Sequence, residues 1–196
     1  MGRVFCIVGK SSSGKDTIYK RLLQDPSLHL KRIVPYTTRP IRVGEQEGVE
    51  YHFASIERMT QLQEENKVIE CRSYDTVYGV WYYFMAKDGQ IDLEKNDYLV
   101  IGTLVSYTKI RDYFGRDKVV PIYIDLDDGE RLTRALEREK KQSHPGYAEM
   151  CRRYLADAKD FSQDNLEKAG IAVKFDNYDL KACLDKVTAY IMAERK

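Results

Sequence analysis

The chain has 196 residues, with 32 Lys and Arg against 31 Asp and Glu for a formal charge of +1, and 43% of its residues are hydrophobic. A chain of this length fits one globular domain with small inserts, and it buries enough surface to need no disulfide or metal staple. The balanced charge argues against a protein whose work is to bind nucleic acid or an anionic membrane. Four cysteines, Cys6, Cys71, Cys151 and Cys183, contain no CxxC pair from which a zinc ribbon or redox motif is built locally. No apolar run approaches the roughly 18 residues of a membrane span, and the opening MGRVFCIVG is too short for a signal peptide. A cytoplasmic protein with reduced thiols is therefore expected.

In chain order, Val4 to Val8 is a short continuous apolar run ending at Gly9, the pattern of a buried parallel strand. Ile18, Leu22 and Leu23 recur at helical spacing through Gln24, and Asp25-Pro26-Ser27 closes the helix. Residues 35–85 break this rhythm. Pro35, Pro40, Gly44, Gly48 and Gly79 favour turns, an aromatic cluster runs from Tyr78 to Phe84, and an amphipathic helix is expected near Ser55 to Glu65. This stretch reads as a mixed insert beside a sheet. Apolar runs at Tyr98 to Ile101, Val119 to Ile124 and Ile171 to Phe175, each followed by helical periodicity, predict an α/β fold with a central parallel sheet covered on both sides. Arg138 to Tyr147 separates two helices with polar residues and is expected to form a mobile flap. The single domain then divides into a core (1–34, 86–137 and 154–196), the insert (35–85) and a lid (138–153).

The strongest chemical signal lies between the first strand and the first helix. Gly9, Lys10, Ser11, Ser12, Ser13, Gly14 and Lys15 form a Gly-x4-Gly-Lys phosphate loop. Its glycines let backbone N–H groups turn inward, the following helix presents its positive end, and Lys15 reaches the outer phosphates. The usual hydroxyl after the lysine is replaced by Asp16 and comes one position later as Thr17. Both are candidate oxygen ligands or water-mediated partners for Mg²⁺. In the insert, Arg39 and Arg42 stand three residues apart with Tyr51 nine residues further on, and guanidinium forks suit a phosphate dianion.

Taken with the phosphate loop, the run from Thr37 to Phe53 resembles the guanylate kinase family, and the resemblance covers almost the whole chain. It implies a three-layer α/β/α P-loop kinase fold whose phosphate loop, Gly9 through Thr17, binds ATP. It also implies that the insert holds an acceptor through Arg39, Arg42, Glu45, Tyr51, Tyr78 and Gly79, with Glu70 contacting the guanine edge and Thr103 near the position of a family aspartate. By the same resemblance, lid arginines fall on Arg134 and Arg138, Arg153 follows on the next helix, and Asn177 lies in the adenine-side loop. His52 and His144 are expected to be structural or exposed rather than catalytic, and His29 has no identifiable partner in the sequence.

The sequence departs from the family on the base-reading side. Pro35 and Val80 stand where many guanylate kinases carry serines, and Gly102-Thr103 replaces the aspartate-bearing run. Gly14-Lys15-Asp16 and Gly102-Thr103 are similar to the related ribose bisphosphate phosphokinases. The implied activity is ATP-dependent phosphorylation of a nucleoside monophosphate, GMP to GDP, with Lys15, Arg134, Arg138 and Arg153 catalytic and Mg²⁺ carried with ATP. The alternatives are a different acceptor, such as ribose 1,5-bisphosphate or a non-guanine nucleotide, and a non-catalytic protein-binding module. Expected partners are ATP and a nucleoside monophosphate, with no nucleic acid and no membrane, in a monomer or homodimer.

Overall fold

In the computed structural model, residues 1–42, 44–76 and 79–195 are described. β1 (Val4–Val8) is buried at every position and lies at the centre of a parallel sheet. Its neighbours are β7 (Tyr98–Ile101) on one side and β8 (Val119–Asp125) on the other. β2 (Lys31–Arg32) and β9 (Lys174–Asp176) are the edges, giving the order β2-β7-β1-β8-β9.

Strand alternation sends side chains to two separate cores. Val4, Cys6 and Val8 point to one face with Val100 and Tyr123, against Leu104, Tyr107 and Ile110 of α3 (Leu104–Phe114). Phe5 and Ile7 point to the other with Leu99 and Ile122, against Ile18 and Leu22 of α1 (Lys15–Gln24) and Val187 and Ile191 of α7 (Leu180–Glu194). The continuous apolar run of β1 is what a strand covered on both faces requires. The expected α/β class and central parallel sheet are what the structure has.

A second sheet, ordered β4-β3-β6-β5, is built from β3 (Tyr36–Thr37), β4 (His52–Phe53), β5 (Val68–Thr76) and β6 (Gly79–Ala86). One face of it packs Phe84 and Ala86 on Met59 and Leu62 of α2 (Ile56–Glu64). That helix is where the amphipathic pattern put it, started by Ser55 accepting the Arg58 N–H at 3.2 Å. α4 (Asp128–Lys140) and α5 (Tyr147–Asp160) flank the polar break, so the first of these helices runs two residues beyond Arg138.

The last strand differs from the apolar run that suggested it. Ile171 is drawn away by the end of α6 (Gln163–Lys168): Gly170, at φ +72°, gives its N–H to Glu167 O at 2.9 Å, and Ile171 gives its N–H to Leu166 O at 3.0 Å. This left-handed cap fixes Ile171 in the first core, and pairing with β8 begins only at Lys174.

Candidate active site

The phosphate loop leaves β1 at Gly9 and enters α1 at Gly14. A Cβ at Gly9 would lie 2.5 Å from Ile124 O, so only glycine lets the loop leave beside β8. Gly14 sits at φ +87°, in the left-handed region, and a Cβ there would meet Asn177 Nδ2 at 2.2 Å. That same nitrogen donates to Ser13 O at 2.8 Å, while Asn177 N–H donates to Asp125 O at 2.9 Å. Asn177 thus ties the loop to the end of β8.

Long-range charges hold the rest of the loop. Arg131, only 1% exposed, donates to Ser11 O at 3.0 Å and makes two bonds to Asp128 Oδ1 at 3.1 and 2.7 Å. Its guanidinium lies 4.9 Å from the Tyr154 ring centroid. Asp128 also takes Lys10 Nζ at 3.0 Å, and these contacts, Arg131 first, hold its carboxyl below the ordinary range. Asp157 on α5 accepts the Ser11 N–H at 2.6 Å, and Arg153 donates to Ser11 Oγ at 3.2 Å. Ser12 Oγ and Ser13 Oγ are buried with no hydrogen-bond partner among the described residues, which makes them polar atoms a ligand would satisfy. Lys15 Nζ lies 3.7 Å from Asp16, whose side chain is 78% exposed; Thr17 is also exposed.

A cleft of about 320 Å³ opens over this loop. Ser11 and Ser12 line it together with Arg42 from the insert, Arg138 at the end of α4, and Arg153 on α5. Arg138 is half exposed, with an ion pair to Glu139 at 3.9 Å, and Glu139 holds the polar break by accepting the Gly146 N–H at 3.0 Å. Arg134 does not join this group. It sits with Gly14, Thr17 and Asn177 around a smaller hollow of about 160 Å³, donating to Glu130 at 3.0 Å and to Asn177 O at 3.3 Å.

In the insert, the two arginines have different environments. Arg39 is 3% exposed; it donates to both Glu45 oxygens, at 3.0 and 2.8 Å, and lies 5.5 Å from the Tyr51 ring centroid. Burial works against its charge, but the Glu45 and Tyr83 contacts outweigh burial and raise its pKa. Glu45 is pulled below its ordinary value mainly by the Arg39 hydrogen bonds. It also accepts the Arg42 N–H at 2.8 Å, which leaves the Arg42 side chain exposed on the cleft. Glu45 therefore positions the two arginines. Burial pushes the Tyr51 phenol up, and its ring meets Tyr83 edge-on at 5.6 Å.

Glu70 and Thr103 are brought together by a residue that sequence reasoning missed. Arg72 donates to Glu70 at 3.1 and 3.2 Å and to Thr103 Oγ1 at 3.2 Å. Alternation along β5 was the available signal, since residues two apart share a face. Arg131 and Asp157 left none, because they meet the loop across 120 and 146 residues of chain. Gly79 opens β6 on the exposed side, Tyr78 lies outside the described residues, and His29 and His144 are exposed. His52 faces Glu47 at 2.8 Å.

The guanylate kinase family model matches residues 1–83. A guanylate kinase of Porphyromonas gingivalis is 31% identical over 145 residues, covering 73% of this chain and 75% of that protein. One from Caldanaerobacter subterraneus subsp. tengcongensis is 29% identical across 99% of this chain and 88% of its own length. The 40% identity to the Zymomonas mobilis guanylate kinase is confined to 80 residues, or 36% of that protein. The crystal structure of guanylate kinase from Anaplasma phagocytophilum shares the fold, with a TM-score of 0.68 at 21% identity over 98% of this chain and 86% of its own. With a phosphate loop, an arginine-bearing insert and a similarity that runs through both, the chain belongs to the guanylate kinase family.

Proposed function

We propose that this protein transfers the γ-phosphoryl group of ATP to GMP, giving GDP and ADP. The observation that carries the reading is the shared cleft: Arg42 from the insert faces Arg138, Arg153 and the phosphate loop across one opening. An acceptor phosphate held from one side and a donor held from the other would meet there.

The acceptor's phosphate oxygen is already ionised at neutral pH, so the chemistry needs no general base, and catalysis rests on alignment and charge neutralisation. Lys15 and the loop N–H groups hold the outer phosphates, and the unpartnered hydroxyls of Ser12 and Ser13 suit the same oxygen-rich ligand. Arg138 and Arg153 cover the group in flight. Arg42 fixes the acceptor phosphate, while Arg39, locked by Glu45, holds the clamp and its Tyr51 neighbour in place. Arg134 and Asn177, beside the smaller hollow, serve the nucleoside side of ATP. Mg²⁺ bound with the ATP substrate would supply further charge neutralisation. Asp16 and Thr17 are the oxygen donors offered on the first turn of α1, and their exposure suits a hard cation that keeps several waters. Movement of the 138–153 segment over the cleft would exclude water and suppress ATP hydrolysis.

No helix among the described residues is long and apolar enough to cross a membrane, and we assign the reaction to the cytoplasm. Phosphorus NMR of a mixture of Mg-ATP and GMP tests the proposal. The reading requires signals of ADP and GDP growing in equal amounts; release of inorganic phosphate with GMP unchanged would overturn it.

A further inference from the structure

The face of the second sheet that carries Tyr83, against the Tyr51 ring, holds a residue pattern that the phosphate chemistry does not use. β5 sends Glu70 and Arg72 to one face, and Arg72 stands opposite Tyr83 of β6, whose ring meets Tyr51 of the clamp. Arg72 therefore lies on the acceptor side of the second sheet, away from α2. Its positive field reaches the Tyr51 phenol together with that of Arg39.

Arg72 covers Glu70. Its Nε and Nη2 take one Glu70 oxygen each, and its Nη1 is held by Thr103 Oγ1. The Glu70 side chain is 2% exposed, whereas Arg72 is 17% exposed. What this floor shows an acceptor is guanidinium, not carboxylate. A guanidinium has five N–H donors, of which these contacts use three, so among the described residues two remain. Lys109 Nζ donates to Cys71 O at 2.7 Å and adds a second positive charge near Glu70. Donors of this kind cannot pair with the N1–H and amino N–H groups of guanine. They do match its O6 and N7, two adjacent acceptors that a guanidinium reads bidentately. Adenine offers a donor at the corresponding 6-position and is rejected by the same floor.

Building on the GMP reading above, we infer that Arg72, held by Glu70 and Thr103, determines base specificity by reading the O6/N7 edge of a 6-oxopurine nucleoside monophosphate. The 2-amino group is then unread, and IMP is an acceptor alongside GMP.

Steady-state phosphorylation of GMP, IMP, 7-deaza-GMP, AMP and ribose 1,5-bisphosphate by the whole protein with Mg-ATP tests this. The expected result is kcat/KM for IMP within about threefold of GMP, with 7-deaza-GMP, which lacks N7, reduced by about 10- to 100-fold and AMP by at least as much. Arg72→Met, which uncovers Glu70, should reverse the order, weakening IMP relative to GMP and restoring 7-deaza-GMP. Good use of 7-deaza-GMP with poor use of IMP would overturn the proposal while leaving GMP phosphorylation intact, because the carboxylate would then be reading N1 and the amino group. Losses with both analogues, or with neither, would also overturn it. Turnover of ribose 1,5-bisphosphate with no purine nucleotide would instead overturn the GMP reading itself. The analogue panel uses the unaltered chain, so it decides the question even if Arg72→Met does not fold.

Discussion

Replacing Gly14 by alanine perturbs the phosphate loop at a position where backbone conformation and a side-chain neighbour are both restrictive. At φ +87°, alanine pays the left-handed penalty of about 1–2 kcal/mol. Its Cβ also meets Asn177 Nδ2 at 2.2 Å, the atom that donates to Ser13 O. Displacing that buried amide leaves donor and acceptor unpaired, at a further cost of about 1–3 kcal/mol. Gly14→Ala should therefore destabilise the protein by about 2–5 kcal/mol, the sum of the two effects. Asn177→Ala alone orphans the Ser13 carbonyl and costs about 1–3 kcal/mol, but it removes the obstructing amide. In that background Gly14→Ala should cost only the conformational part, so the double-mutant cycle carries a coupling of about 1–3 kcal/mol. Urea unfolding of the four proteins measures it, from midpoint shifts at constant m. Costs that add to within about 0.5 kcal/mol would refute the interlock.

Three further outcomes follow from the site. Arg42→Ala should raise the acceptor KM by about 10- to 100-fold, the worth of a charge-assisted hydrogen bond, with a much smaller effect on the ATP KM; an effect on ATP alone would place the clamp on the wrong substrate. Arg131→Met should destabilise by about 3 kcal/mol, the low end for breaking a buried ion pair because Asp128 stays half exposed; an unchanged unfolding midpoint would contradict the role given to Arg131. Glu45 has a carboxyl pKa depressed in the fold, so its contribution is present above its ordinary value of 4.5 and is lost as pH falls through the lower folded value. The melting temperature of the parent should then exceed that of Glu45→Gln near neutrality, with the gap shrinking only below pH 4.5; a gap independent of pH would show that Arg39 does not set this carboxylate.

The parts of this molecule that were legible in the sequence are those whose cause is local. The phosphate loop is a run of nine residues whose glycines have specific backbone duties, and the apolar runs of β1, β7 and β8 follow from burial on both faces. What was not legible depends on pairing. A bulge between Val68 and Glu70 sets which face of the second sheet Glu70 and Arg72 take, and nothing in the local residues announces it. Arg39 was legible as a phosphate-binding type of residue, but its engagement by Glu45, which leaves Arg42 as the exposed member of the pair, appears only in three dimensions. Ile171 read as strand because apolar residues serve helix caps and strands equally well.

The central claim is phosphoryl transfer from a loop-bound ATP to GMP. Its most direct test is initial-rate ADP release with Mg-ATP and GMP, set against AMP, CMP and UMP, and repeated with Lys15→Ala. The account predicts turnover that requires GMP over the other three and disappears in a Lys15→Ala protein that remains folded. Turnover retained without Lys15, or the same rate with and without GMP, would contradict it.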